Sequence, residues 1–311
     1  MKIVFMGTPE FAVPTLKQLL KHHEVVAVYT QPDRPAGRGH KMQSSPVKAV
    51  ALEAGVEVLQ PKSLKKKEIR DLLVGFDADI FVVAAYGLIL PKAILDIPRH
   101  GCINVHASLL PKYRGASPIH AAIKNGEATT GITIMYMDVG IDTGDMIYKR
   151  KLAINPDERV GSLHDRLATL GGECIIEALA QLEAGTAARI PQDDAESSYA
   201  PIIQKTDGLI DWSCSTEEII NLTRAFDPWP GPYTMYNGQV IKIWQIEDAE
   251  GISSEEISTG AVLASDQTRG LLIRTGSGVA RILEIQAPGS KRMTAKDYLR
   301  GREIRVGEVL G

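Results

Sequence analysis

Apolar and polar positions along the chain fall into alternating blocks. Residues 2–6 form a short apolar run ended by Gly7, which predicts a strand buried on both faces. Thr8-Pro9-Glu10 then has the order of a helix start, with Thr8 as N-cap and Pro9 in the first turn. Val13, Leu16, Leu19 and Leu20 recur at the spacing of one helix face, and residues 25–30 read as a second strand. Two strands split by a helix make a βαβ unit, so parallel pairing with a right-handed crossover is expected. Helices follow over 47–54 and 64–74, and the largely apolar run 78–84 predicts another buried strand. The triple Lys65-Lys66-Lys67 reads as a solvated helix face. Strands over 130–137 and 146–154 predict an antiparallel hairpin at the sheet edge. A long helix over 160–183 is closed by Gly185.

The periodicity changes after residue 189. The stretch 190–206 is polar and irregular, as expected of an interdomain linker. Beyond it, one helix at 216–226 is followed by short strands at 234–236, 240–246, 260–264, 270–274 and 279–286. Evenly spaced short strands with turns between them predict a small OB-like β-barrel. The expected architecture is therefore an α/β domain over 1–189, built on a doubly wound, mostly parallel sheet, and a smaller β domain over 207–311.

Two stretches break the pattern in a way that suggests chemistry. In GCINVHASLLPKYRG, residues 101–115, Asn104 and His106 stand two apart on a predicted strand and so share a face. A donor amide beside a titratable imidazole suits stabilisation of a reacting carbonyl. Downstream, the Gly-containing DVGIDTGD loop, 138–145, offers Asp142 as a carboxylate to complete an acyl-transfer site with them. The second stretch, QPDRPAGRGHKMQSSP over 31–46, has no periodicity. It reads as a long loop without structure of its own, with Arg34, Arg38 and Lys41 placed to order on an anion. A further turn, AYGLILP over 85–91, is apolar and follows a buried strand, where doubly wound sheets receive flat ligands.

Composition narrows the classes. The 311 residues are 44% hydrophobic and 23% charged with a net charge of −3, as in a soluble globular protein large enough for two domains. No run is long enough for a membrane span, and MKIVFMGTPEF lacks a secretory h-region, so a cytoplasmic protein with no membrane partner is expected. Cys102, Cys174 and Cys214 are widely spaced and, like the seven histidines, form no metal-ligand pattern, so no metal is expected. Gly7-Thr-Pro-Glu lacks GxGxxG, which argues against a nicotinamide cofactor. The negative net charge confines any contact with RNA to local basic clusters, notably Lys291, Arg292 and Lys296 near the C-terminus, since residues 207–311 hold 11 Lys and Arg against 15 Asp and Glu.

FMGTPEFAVP, TQPDRPAGRG, AYGLILP, INVHASLLPKYRGASPI, MDVGIDTGDM and AFDPWPG occur in one order across nearly the whole chain. Together they resemble the bacterial methionyl-tRNA formyltransferase family, within the wider class of folate-dependent formyltransferases. The resemblance implies a Rossmann-like formyltransferase domain and a monomer. The formyl donor would be 10-formyltetrahydrofolate, as co-substrate, and the acceptor the α-amino group of methionine on initiator tRNA. It implies catalytic roles for Asn104, His106 and Asp142, and a folate-binding turn at Ser108, Leu109, Leu110 and Pro111. Ala85, Tyr86, Gly87, Leu88, Ile89 and Leu90 would line the pterin pocket. The 31–46 loop would wedge against the acceptor end of the tRNA, and the barrel would bind its flank. Ala107 departs from the Gly of other members without touching the chemistry. Relatives acting on glycinamide ribonucleotide or an amino sugar nucleotide share the catalytic half, and a non-catalytic RNA-binding protein needs only the barrel. The Arg-bearing loop and second domain favour a tRNA acceptor over the former, the site motifs an enzyme over the latter.

Overall fold

The computed structural model describes residues 1–36, 41–249 and 257–311. Two compact units emerge, one of Met1–Pro118, Thr129–Ala153 and Leu163–Ala200, the other of Ile119–Ala128, Ile154–Ser162 and Pro201–Gly311. In chain order the elements through residue 200 are β1 (Lys2–Gly7), α1 (Val13–His22), β2 (Glu24–Tyr29), β3 (Arg34–Ala36), β4 (Lys41–Gln43), α2 (Pro46–Glu53), β5 (Val58–Leu59), α3 (Lys67–Gly75), β6 (Ile80–Ala84), α4 (Lys92–Leu95), β7 (Cys102–His106), β8 (Arg114–Gly115), α5 (Pro118–Lys124), β9 (Thr129–Tyr136), β10 (Met146–Ala153), α6 (Val160–Glu183) and β11 (Tyr199–Ala200).

The first unit is built on a seven-stranded sheet of order β10-β9-β7-β6-β1-β2-β5. Pairings from β7 through β5 are parallel, and β9 joins β7 antiparallel before turning into β10 at the edge. Ile3, Val4, Phe5 and Met6 in β1 and all of β6 are buried, because crossover helices cover both faces of a parallel sheet. Strand order reverses between β1 and β6: α1 leads rightward to β2, whereas α3 leads back to the other side of β1. Such a switch point opens a crevice at the carboxyl ends of the strands.

Local details depart from the sequence reading. Thr8 does not cap a helix; its Oγ1 donates to the Tyr86 carbonyl at 3.1 Å, and a 3-10 turn at Glu10–Ala12 intervenes before α1. The 31–46 loop carries its own ladder, β3 against β4, with Arg34 opposite Gln43; pairing through backbone groups left no trace in residue type. The 190–200 stretch lies along the first unit: Ile190 bridges Met146, and β11 pairs with β8.

The second unit contains α7 (Thr216–Phe226), β12 (Tyr233–Tyr236), β13 (Gln239–Asp248), β14 (Val262–Asp266), β15 (Gly270–Arg274), β16 (Val279–Gln286), β17 (Met293–Thr294) and α8 (Ala295–Gly301). Its strands form an antiparallel half-barrel of order β12-β13-β16-β15-β14, with β17 against β16. Alternate residues Ile241, Ile243, Leu271, Ile273, Ala280 and Ile282 fill its core. Helix α7 opens with a capping box between Ser215 and Glu218. No described helix is long and apolar enough to cross a membrane.

Candidate active site

Strand β7 ends at the switch-point side of the sheet and carries Asn104 and His106 on one face, about 6.6 Å apart by strand rise. His106 is 5% exposed. Its Nε2 lies 2.9 Å from the Tyr113 carbonyl oxygen, and a carbonyl only accepts, so Nε2 carries the proton. Nδ1 is thereby the nitrogen left for chemistry, and it faces Asp142 Oδ2 at 3.6 Å. That gap exceeds a hydrogen bond and leaves both groups addressing the same small space. The Asn104 side-chain amide, partly buried, makes no hydrogen bond among the described residues.

The carboxylate is delivered by a tightly held loop. Asp142 Oδ2 accepts from the Gly115 amide at 2.9 Å, while its carbonyl and that of Gly144 both accept from Gln192 Nε2 at 2.8 Å. Arg114 fixes Gln192 in turn, its Nε donating to Oε1 at 3.0 Å. Asp138 Oδ1 ties the start of the loop to Gly140 N and Thr143 Oγ1. A Cβ on Gly144 would stand 1.9 Å from the Tyr136 carbonyl oxygen, so only glycine permits this return to the sheet. Asp142 itself sits at φ 54°, Tyr113 at 60° and Ala85 at 45°. Left-handed non-glycine residues cost free energy and persist where surrounding structure holds them, often at functional sites.

The remaining sequence candidates separate into exposed and structural roles. Ser108 is buried, its Oγ donating to the Lys112 carbonyl at 2.6 Å, and Leu110 is buried as well; Leu109 and Pro111 are half-buried. Thr133 Oγ1 braces this turn, donating to the Ser108 carbonyl and accepting from Leu110 N. In the 85–90 turn, Ala85, Gly87 and Ile89 are exposed, Leu88 is half-buried, and Tyr86 and Leu90 are buried. Burial pushes the Tyr86 phenol above its ordinary pKa. Gln31 Nε2 donates to the Tyr86 carbonyl at 3.2 Å and to that of Gly87 at 3.0 Å, so those two carbonyls are already engaged. Ile89 is 85%, Val139 77% and Ile141 56% exposed, apolar side chains left uncovered on the two loops.

Two cavities adjoin these loops. One, of about 430 Å³, is lined by Leu95, Cys102, Tyr136, Met137, Asp138 and Val139 among others. The second, of about 590 Å³, lies at the carboxyl ends of β1, β2 and β6 and includes Thr8, Gln31, Arg34, Ser45, Ala85 and Gly87. Both fall in the size range of small-molecule sites.

Of the basic candidates, Arg34 donates to Gln31 Oε1 at the second cavity's edge. Lys41 lies in β4, and Arg38 lies outside the described residues. Arg292 pairs with Asp227 at 2.8 Å and stacks on the Trp244 ring at 4.0 Å, and Lys242 lies 4.9 Å from the same ring. Lys291 is exposed in the turn before β17, and Lys296 is exposed on α8. Gln192, Gly115 and Tyr113 escaped the sequence reading because they act through backbone groups or from an irregular stretch. Among the described residues no group of three or more His, Cys, Asp or Glu forms a metal cage.

The profile of the formyl transferase family matches residues 1–179, and that of the formyl transferase C-terminal domain matches 202–303. A methionyl-tRNA formyltransferase of Caldanaerobacter subterraneus subsp. tengcongensis is 51% identical over 312 residues, covering 100% of both chains. Among solved structures, the sugar 3N-formyl transferase WlaRD, crystallised with dTDP and 5-N-formyl-THF, superposes with a TM-score of 0.66 at 21% identity, over 94% of this chain and 99% of that one. HypX from Aquifex aeolicus in complex with tetrahydrofolic acid gives 0.58 at 18%, over 96% of this chain, which spans 47% of that one.

Proposed function

The chain belongs to the methionyl-tRNA formyltransferase family, and from that premise we propose that Asn104, His106 and Asp142 carry formyl transfer from 10-formyltetrahydrofolate to the α-amino group of methionine on initiator tRNA. The observation that carries the assignment is the approach of His106 Nδ1 and Asp142 Oδ2 to 3.6 Å, with Asn104 on the same face of β7 and its amide making no hydrogen bond among the described residues. A reacting centre beside this pair, on the face of β7 that carries Asn104, is addressed by all three groups.

The reaction begins with a neutral amine. An α-amine titrates at about 8, lower when its carboxyl is esterified, so a useful fraction is unprotonated near neutrality. Its lone pair attacks the formyl carbon, and the carbonyl π electrons move onto oxygen. The Asn104 amide and protonated His106, through Nδ1–H, donate to that oxygen as charge develops, the preorganised effect that is often the largest catalytic contribution. Asp142 stabilises the imidazolium and takes the amine proton, directly or through water. Collapse of the tetrahedral intermediate breaks the bond to the folate nitrogen, which leaves with a proton. No covalent enzyme intermediate is required.

The 85–90 turn and the 138–145 loop, with Ile89 and Val139 exposed on either side, supply apolar surface for the flat pterin, and the 430 Å³ cavity bordered by Val139 supplies the depth. The 590 Å³ crevice, rimmed by Arg34, suits the acceptor end of the tRNA. Arg38 and Lys41, with Lys291, Arg292 and Lys296 in the second unit, complete the proposed phosphate contacts.

The test is transfer of labelled formyl to charged initiator tRNA. His106→Ala is expected to lower kcat by roughly 10²- to 10⁴-fold, with elongator tRNA a poor acceptor for the unaltered protein. Near-normal transfer by His106→Ala would remove the catalytic assignment. Transfer to an amino sugar nucleotide in preference to charged tRNA would remove the acceptor.

A further inference from the structure

A hollow of about 380 Å³ lies outside the site described above, lined by Leu64, Lys65, Lys66, Lys67, Arg70 and Pro91 among others. Pro91 immediately follows Leu90, the last residue of the proposed donor turn. We propose that this hollow binds the γ-linked glutamate tail of a polyglutamylated folate, an inference that rests on the donor reading above.

The charge of the hollow is unbalanced. Lys65, Lys66 and Arg70 form no ion pair among the described residues, and Lys67 alone pairs, with Asp71 on its own helix. Four cations thus fall within six positions of a chain whose net charge is −3. They also stand at the start of α3, where Lys66 is the N-cap and provides no side-chain cap. Cations at the positive end of a helix repel the dipole rather than complement it, so the cluster favours arrival of an anion from outside the chain. Local sequence choices that oppose the local structure are expected where function demands them.

The chemistry of the donor identifies the anion. A folate ends, beyond its p-aminobenzoyl ring, in a glutamate, and each γ-linked addition contributes one further carboxylate on a flexible chain. Exposed lysines on flexible stems suit such a chain, since they act as adjustable point charges rather than rigid forks. Pterin by the 85–90 turn directs the tail past Ile89 and Pro91 toward Lys65, Lys66 and Arg70.

The test compares KM for mono- and pentaglutamylated 10-formyltetrahydrofolate at saturating charged tRNA. The unaltered protein is expected to show a KM roughly 3- to 10-fold lower for the pentaglutamate, the scale of a few exposed ion pairs acting together, and the difference should shrink as salt is added. In a Lys65→Ala, Lys66→Ala, Arg70→Ala variant the two KM values should converge. Lys65→Arg with Lys66→Arg should keep them apart, as should Lys21→Ala on α1. Equal KM values in the unaltered protein, or a difference that survives the triple variant, would overturn the proposal. So would a triple variant that changes only the KM for tRNA, since the patch would then read RNA. If neither folate supports transfer by the unaltered protein, it is the donor reading that fails and the tail proposal with it.

Discussion

His106 illustrates how a single backbone contact decides a side chain's chemistry. The Tyr113 carbonyl claims Nε2–H, which fixes the ring and presents Nδ1 toward Asp142. Asp142→Asn keeps an oxygen for the Gly115 amide but loses the charge that favours imidazolium. Its expected effect is a drop in kcat of about 10²-fold or more with unchanged thermal unfolding, read by formyl transfer and calorimetry on the same sample. The cysteines give a second prediction. Burial pushes the Cys102 thiol well up, Cys174 up to about 11, and Cys214 upward as well. A raised pKa means less thiolate at a given pH, so native protein at neutral pH should alkylate slowly at all three, faster as pH rises, and fully in denaturant; mass spectrometry after iodoacetamide checks this. The nearness of Asp142 to His106 followed a reading of residue type, and the shared face of Asn104 and His106 followed from strand alternation. The Tyr113 carbonyl and Gly115 amide were not legible, since every residue carries those groups.

Among the elements, the donor turn and the 31–46 loop are joined by one side chain. Gln31 Nε2 holds the Tyr86 and Gly87 carbonyls, its Oε1 accepts from Arg34, and its own carbonyl accepts from Gln60 Nε2 at 2.8 Å. Gln31→Ala should release a turn that keeps Ala85 at positive φ, raising KM for folate and for charged tRNA together, each by roughly 3- to 30-fold for lost hydrogen bonds of about 1 kcal/mol apiece. Steady-state kinetics with each substrate varied in turn reads this, and a change confined to one KM would show that turn and loop act separately. The strands of the main sheet other than the short β5 were legible from their apolar runs, and the edge hairpin from partial alternation. The β3–β4 ladder was not, because Pro and Gly signals masked a pairing held by backbone alone. Thr8 misled for a related reason: its hydroxyl satisfies a carbonyl 78 positions away instead of the nearest helix, a long-range choice that local propensity does not record.

At the scale of the molecule, the boundaries of the two compact units do not coincide with a single cut in the chain. Residues 119–128 and 154–162, which lie well before residue 189, cluster with the second unit. Phe226 of α7 stands 6.4 Å from the His120 ring and near Lys124, while Arg224 donates to the carbonyls of Glu158 and Asn155. The change of periodicity after residue 189 was visible in sequence, but these two inserted segments were not, because they continue the helix and strand patterns around them. A fragment ending at Ala200 is therefore expected to leave Ile119, Ala122 and Ile123, buried in the full chain, without the residues that cover them. It should bind an apolar dye and unfold at lower denaturant than the full chain, and an equally sharp, equally late transition would show that the segments stand alone. For anyone recombining these enzymes, the seam between parents belongs at five places rather than one: grafting a foreign tail after residue 200 transplants half of a handshake, and the tail's own α5 must travel with it.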